Sequence, residues 1–164
     1  MQSIVKAYWD SKVPIYEIPL TKLQNEGINC LLIDVDGTLL SRKSNIIPLN
    51  VKNWINESKK FFSLYLISNN PSDYRIGQIA KELDIKYKSN ALKPRKKTTL
   101  DIIDEMKEDT KNIAIIGDRI FTDIIVGNRC NIQTILVKKL SKNGLPIKMN
   151  LTLILEKMIS NFLK

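Results

Sequence analysis

The sequence predicts an α/β fold: a parallel sheet flanked by helices, with no inserted second lobe. Three observations predict it. Short apolar runs, Cys30–Ile33, Phe61–Ile67, Asn112–Ile116 and Ile132–Val137, lack the polar alternation of half-exposed strands and read as strands buried on both faces. Segments with apolar residues at helical spacing separate them, the pattern of right-handed crossovers in a parallel sheet. Acids, a hydroxyl and a lysine recur just beyond the strand ends, where open parallel sheets bind ligands.

Each element has a local reason. Residues 1–29 form a partly aromatic lead-in with Tyr8, Trp9, Val13, Ile15, Tyr16, Ile18 and Leu20. Its default role is docking, with Tyr8 and Trp9 as candidates for a membrane surface. Thr21-Lys22-Leu23-Gln24 has capping-box spacing, and Gly27 can end that helix. Residues 30–137 carry the catalytic core. After the Cys30–Ile33 run, Leu39–Pro48 is a loop with Arg42 and Lys43. Asn50 can cap a helix with Val51, Trp54, Ile55 and Ser58 inward. Phe61–Ile67 is a strand. Pro71 fits the first turn of a helix facing inward through Ile76, Ile79, Ala80 and Leu83. Ile85–Tyr87 is a short strand, and Thr98–Lys107 a helix with Leu100, Ile103 and Met106 inward. Asn112–Ile116 is a strand, Phe121–Arg129 a short helix with Asp123, and Ile132–Val137 the last strand. Residues 138–164 are a basic connector and a helix over Asn150–Leu163, whose Leu151, Ile154, Leu155, Met158 and Phe162 make one stripe. That stripe packs on the domain or a partner, or lies on a membrane surface.

Composition narrows the chemistry. The 164 residues suffice for one domain, and 43% hydrophobic with 26% charged content is globular. The 26 basic and 17 acidic residues give +9, which favours phosphate esters, nucleic acid or anionic membranes, or serves solubility alone. The chain has no histidine, which excludes Ser-His-Asp and Cys-His catalysis, His-ligated zinc and a His base. Cys30 and Cys130 lie far apart in apolar surroundings and read as reduced core residues of a cytoplasmic protein. A metal would be held by oxygen, which points to Mg²⁺. No signal pattern is present, and no apolar run approaches the ~18 residues of a membrane span.

The chemistry centres on Asp34-Val35-Asp36-Gly37-Thr38. Two carboxylates at a buried strand end are costly unless a metal or reaction needs them. Ser68, Lys93, Asp118 and Asp123 sit at other strand exits on the same edge. Together they make a kit for phosphoryl transfer: a carboxylate attacks phosphorus, a second handles the proton, lysine and Mg²⁺ neutralise charge, and a hydroxyl and loop amides hold phosphate oxygens. Gly37 lets the backbone turn and approach the phosphate. Taken singly, each residue could be a cap or turn residue, as Ser68-Asn69-Asn70 or Asp123 could. Their convergence has no such explanation.

Asp34-Val35-Asp36-Gly37-Thr38, Ser68, Lys93, and Gly117-Asp118 through Asp123 resemble, in order, motifs I to IV of the haloacid dehalogenase (HAD) superfamily phosphatases. The resemblance implies a HAD-like Rossmannoid core and these roles: Asp34 nucleophile and Mg²⁺ ligand; Asp36 acid/base, with its carbonyl on Mg²⁺; Lys93 holding Asp34 and the phosphoryl oxygens; Gly37, Thr38, Ser68 and Asn69 on the substrate phosphate; Asp118 a direct Mg²⁺ ligand; Asp123 a ligand through water or an orienting group. The spacings Thr38 to Ser68 and Ser68 to Lys93 leave no room for a cap, so the site is expected to be open.

Ile67-Ser68-Asn69-Asn70, Ala91-x-Lys93-Pro94, Ile116-Gly117-Asp118, Thr122-Asp123, Gly127-Asn128-Arg129 and Ile135-Leu136-Val137 resemble the YqeG-type, subclass IIIA branch. Gly37 departs from it, since the branch commonly has Asn there. The resemblance implies kinship with phosphatidylglycerophosphate phosphatases, hence an anionic lipid substrate and peripheral contact with a membrane's inner face, where Arg42, Lys43, Arg95, Lys96 and Lys97 could meet lipid phosphates. The competing readings are a soluble phosphatase for sugar phosphates, nucleotides or polynucleotide ends, and a non-catalytic nucleic-acid-binding module, against which the intact acids argue. A receiver domain also joins acids and a lysine, but on a differently placed strand.

Overall fold

In the computed structural model, residues 3–148 and 150–162 are described. The expectations for the Phe162 side chain and for Leu163 lie outside the described residues. The strands are β1 (Trp9–Asp10), β2 (Cys30–Ile33), β3 (Ser63–Ile67), β4 (Lys86–Lys88), β5 (Ile113–Gly117) and β6 (Gln133–Leu136). They form one six-stranded sheet in the order β1-β6-β5-β2-β3-β4, and every pairing is parallel. The helices are α1 (Leu20–Asn25), α2 (Leu49–Ser58), α3 (Asp73–Leu83), α4 (Lys97–Met106), α5 (Ile125–Arg129) and α6 (Leu151–Phe162).

Alternation along β2 explains its continuous apolar character. Leu31 and Ile33 point into one buried cluster, with Val51, Trp54 and Ile55 of α2 and Ile76, Ile79, Ala80 and Leu83 of α3. Cys30 and Leu32 point into the opposite cluster, with Ile102 and Ile103 of α4 and Val126 of α5. Both faces are covered, so no position on the strand tolerates a polar side chain. Each fully buried Leu or Ile contributes roughly 1.5–3 kcal/mol.

The strand order places a topological switch between β2 and β5. The chain runs from β2 to β3 and β4 on one side, and β5 and β6 lie on the other. Ile33 stands opposite Ile116, so the residues leaving β2 and β5 meet over one crevice. Between Thr38 and Ser68 the chain holds a loop, α2 and β3, and between Ser68 and Lys93 only α3 and β4 with short turns. Neither connection forms a cap.

Several local expectations are corrected. The lead-in joins the sheet: Trp9 and Asp10 pair with Ile135 and Leu136, while Ile15, Ile18 and Leu23 enter the α2 face of the core. The Trp9 ring lies beneath the Lys22 ammonium, 4.2 Å from the ring centre. Pro19 and Pro48, not Thr21 and Asn50, precede α1 and α2; proline's fixed φ suits a helix entry without a side-chain cap. Ser72, not Pro71, opens α3, accepting a hydrogen bond from the Arg75 amide. On α4, Thr99, Ile102 and Ile103 face inward, and Leu100 is exposed. Asp123 sits in a π-helical turn, Ile120–Ile124, that leads into α5.

The final helix differs most. Leu151, Ile154, Leu155, Met158 and Ile159 are exposed, whereas Glu156 is buried. Glu156 accepts from the Ile120 amide at 2.8 Å and pairs with Arg119 at 3.2 Å, and Leu153 packs on Ile120 and Ile124. The helix is held by its polar edge, with its apolar stripe outward. Among the described residues, no helix is long and apolar enough to cross a membrane.

Gly127 lets α5 lie against the sheet, because a Cβ there would meet Thr134 Cγ2 at 2.3 Å and Ile115 Cγ2 at 2.5 Å. Gly127→Ala should destabilise the fold by about 1–3 kcal/mol, read as a lower urea midpoint at unchanged m-value.

Candidate active site

Asp34 is the first residue beyond β2, and its amide still donates to the Ile116 carbonyl at 2.9 Å. The ladder therefore fixes its backbone. The chain then curls: the Gly37 amide bonds Leu40 O at 2.7 Å, and the Thr38 and Leu39 amides return to Val35 O. Thr38, fully buried, donates its hydroxyl to Asp34 Oδ2 at 3.3 Å.

Lys93 reaches this carboxylate through a clamp. Asn69 accepts from the Lys93 amide at 2.7 Å and donates to its carbonyl at 2.8 Å. Asn69 thus holds the lysine backbone while still bordering the cleft. Lys93 Nζ donates to Asp34 Oδ1 at 2.7 Å, Asp123 Oδ1 at 2.6 Å and Ile67 O at 3.0 Å. All three ammonium protons are placed. Asp123 Oδ2 accepts from the Arg119 amide at 3.2 Å. Ser68, also buried, accepts from the Asn70 amide at 3.1 Å.

Asp118, the first residue after β5, is different. It is buried, and neither of its carboxylate oxygens has a hydrogen-bond partner among the described residues. Ligand oxygens of Asp34, Asp118 and Asp123 lie within 4.8 Å of one another. Two glycines make room for this cluster. A Cβ on Gly37, where φ is +102°, would meet Asp118 Oδ2 at 2.7 Å; one on Gly117 would meet Asp123 Cγ at 2.3 Å.

The electrostatics follow from three carboxylates around one ammonium. Burial, with Asp123 and Asp36 nearby and Lys93 opposing, pushes Asp34 up to about 7. Burial, then Asp34 and Asp123, pushes Asp118 well above the carboxylate range. Burial would lower Lys93, but Asp123 and Asp34 outweigh it and raise it. With all groups charged the nook carries a surplus of negative charge, and a hard divalent cation on the free oxygens of Asp118 would relieve it. The residues present fit such an ion, with Asp34 and Asp118 as side-chain ligands and Asp123 oriented by Lys93 and Arg119.

The Asp36 side chain stands apart from this trio. Asn70 Nδ2 donates to its Oδ2 at 2.8 Å, and an Arg75 terminal nitrogen lies 2.8 Å from its Oδ1. The latter is a contact of charges, since its angle is not that of a directed hydrogen bond. The cleft, about 150 Å³, is also lined by Arg42, Arg119, Thr122 and Lys139. Larger hollows exist, one of about 640 Å³ beside Tyr8 and Asn128, but no such charge cluster converges there; chemistry, not volume, marks the site. Asn70, Arg75, Arg119, Lys139 and Glu156 also shape the site and are not among the residues to which the sequence points. The α3 positions were legible only as a turn plus a helix, and no spacing rule links residue 156 to residue 119.

The HAD-hydrolase-like family matches residues 91–143, the stretch from just before Lys93 to beyond Asp123. The curated protein "Probable phosphatase YqeG" of Bacillus subtilis is 28% identical over 124 residues, covering 75% of this chain and 72% of its own. A predicted HAD-like family hydrolase of Porphyromonas gingivalis superposes with TM-score 0.56 at 10% identity, covering 80% of this chain and 98% of that one. The cobalt-bound deoxy-D-mannose-octulosonate 8-phosphate phosphatase of Haemophilus influenzae gives TM-score 0.51 at 17% identity, covering 86% and 88%. At these identities the two structures show the shared fold.

Asp118→Asn should raise the metal-free unfolding temperature, because it removes the repulsion of Asp118 with the Asp34 and Asp123 carboxylates. It should also abolish the stabilisation that added Mg²⁺ or Mn²⁺ gives the wild type, as scanning calorimetry would record. Gly37→Ala should show the same loss of metal response, here with a lowered unfolding temperature.

Proposed function

We propose, from the premise that the chain belongs to the HAD-like hydrolases and is a phosphatase, that it is a Mg²⁺-dependent phosphomonoesterase working through an aspartyl-phosphate, and that its substrate is phosphatidylglycerophosphate. The observation that carries the chemistry is the buried Asp34–Lys93–Asp123 chain beside the unpartnered Asp118 carboxylate. All of residues 1–164 serve this one catalytic unit, the lead-in included.

Asp34 Oδ2 forms the bond to phosphorus, since Lys93 holds Oδ1. Lys93 stays protonated and offsets charge on the transferring group. The Thr38 and Ser68 hydroxyls donate to the phosphoryl oxygens. Asp36 gives its proton to the leaving oxygen and then takes one from the attacking water. Asp34, Asp118 and the Asp36 carbonyl, with Asp123 behind them, would hold a Mg²⁺, which would supply charge neutralisation when bound.

The lipid assignment draws support from three features. The site has no cap, so a headgroup on a large body can enter. Arg42, Arg119 and Lys139 ring the cleft, which suits a substrate with a second anionic phosphate. The apolar stripe of α6 faces outward, and the same helix holds Arg119 at the cleft rim through Glu156. Peripheral contact with an anionic membrane face fits this arrangement. A soluble phosphate ester is the second reading, favoured by the small volume of the cleft.

Purified protein with Mg²⁺ should release phosphate from phosphatidylglycerophosphate in anionic vesicles, and Asp34→Asn should lower the rate by more than about a thousandfold. Good turnover of soluble sugar phosphates with none of the lipid would sink the lipid assignment. Full activity in Asp34→Asn would overturn the mechanism.

A further inference from the structure

We propose that Arg75 is a positioning residue for proton transfer at Asp36, and that through it the 41–48 loop governs that transfer. The assignment rests on the phosphomonoesterase reading. Arg75 lies in the first turn of α3, and both its side chain and that of Asp36 are only 16% exposed. Its guanidinium is gripped by the loop: Nε donates to Asn45 Oδ1 at 3.1 Å and one terminal nitrogen to the Ser44 carbonyl at 2.9 Å. The other terminal nitrogen is 2.8 Å from Asp36 Oδ1. A planar fork held on two sides has its third side fixed, which a lysine could not reproduce.

The second oxygen of Asp36 is fixed from the same direction. Asn70 donates to Oδ2 at 2.8 Å and uses its own oxygen to accept from the amide of Ser72, the N-cap of α3, at 3.0 Å. Both carboxyl oxygens are therefore oriented by the start of α3, while each keeps a further lone pair for a proton. Holding the loop would require only the Ser44 and Asn45 contacts. The third contact places a cation against the side chain that must deliver a proton.

In the first half-reaction the Asp34 oxygen–phosphorus bond forms, the bond to the leaving oxygen breaks, and the Asp36 proton passes to that oxygen. In the second, the water oxygen–phosphorus bond forms, the Asp34 bond breaks, and a water proton returns to Asp36. Misorienting Asp36 slows the first half-reaction most where the leaving oxygen is basic. An alkyl ester needs the proton; a nitrophenyl ester departs without it.

The test measures kcat/KM with Mg²⁺ for glycerol phosphate and p-nitrophenyl phosphate. Arg75→Met should lower the alkyl value by about 10- to 100-fold, and the aryl value by a factor at least several times smaller. Arg75→Lys should restore part of the alkyl activity, and Asn45→Ala, which removes one strut, should shift the alkyl-to-aryl ratio in the same direction. Adding Arg75→Met to Asp36→Asn should cause no further loss on the alkyl ester. Equal losses on both esters, or full additivity with Asp36→Asn, would overturn the assignment. Should Arg75→Met fail to fold, the Arg75→Lys and Asn45→Ala ratios decide alone. A wild type that hydrolyses neither of these esters nor phosphatidylglycerophosphate would overturn the phosphomonoesterase reading itself.

Discussion

One buried ammonium holds the catalytic edge together. Lys93 is 4% exposed and divides its three protons among Asp34, Asp123 and the Ile67 carbonyl. Those acceptors belong to the exits of β2 and β3 and the π-helical turn before α5. Removing one partner from a buried charged group costs far more than the group contributes when paired. The lysine therefore joins three segments of backbone that are remote in sequence, and the Asn69 clamp ties its own main chain to the β3 exit a second time. The surplus of carboxylate over ammonium leaves Asp118 without a partner among the described residues, an imbalance that a bound cation would relieve.

Much of this was legible in the residues because buried strands and paired acids leave strong local signals. A run such as Cys30–Ile33 can only be a strand with both faces covered, and Asp34 with Asp36 at its end has no cheap structural role. The helix faces of α2 and α3 followed from spacing, and all eight of their expected inward residues are buried. The failures share a cause: they depend on partners distant in the chain. Trp9 and Asp10 become a strand only because β6 has a free edge. The stripe on α6 reads as a packing face, but Glu156 found the Ile120 amide and Arg119, and that polar grip turned the stripe outward. Leu100 points out because Thr99, Ile102 and Ile103 fill the inner face of α4.

The site shows the same division. Asp34, Ser68 and Asp118 were legible as a group because each sits one residue past a strand. The residues that orient them were not. Asn70 resembles any turn asparagine, and Arg75 any exposed helix arginine, until the loop after Leu40 folds back over α3 and brings Ser44 and Asn45 to the guanidinium. Orientation at an active site is a property of the whole fold and leaves a faint local trace.

The two glycine–acid contacts carry an evolutionary consequence. Gly37 exists in the shadow of Asp118, and Gly117 in that of Asp123. While the acids are kept, neither glycine can acquire a side chain without a collision. Once an acid is lost, selection on its glycine relaxes, and any substitution that follows bars the acid's return, since reversion then needs two changes with an unfit intermediate. Loss of the acidic edge in a descendant of this chain would act as a ratchet, and paired replacement at 37 with 118, or 117 with 123, would be its record in sequence.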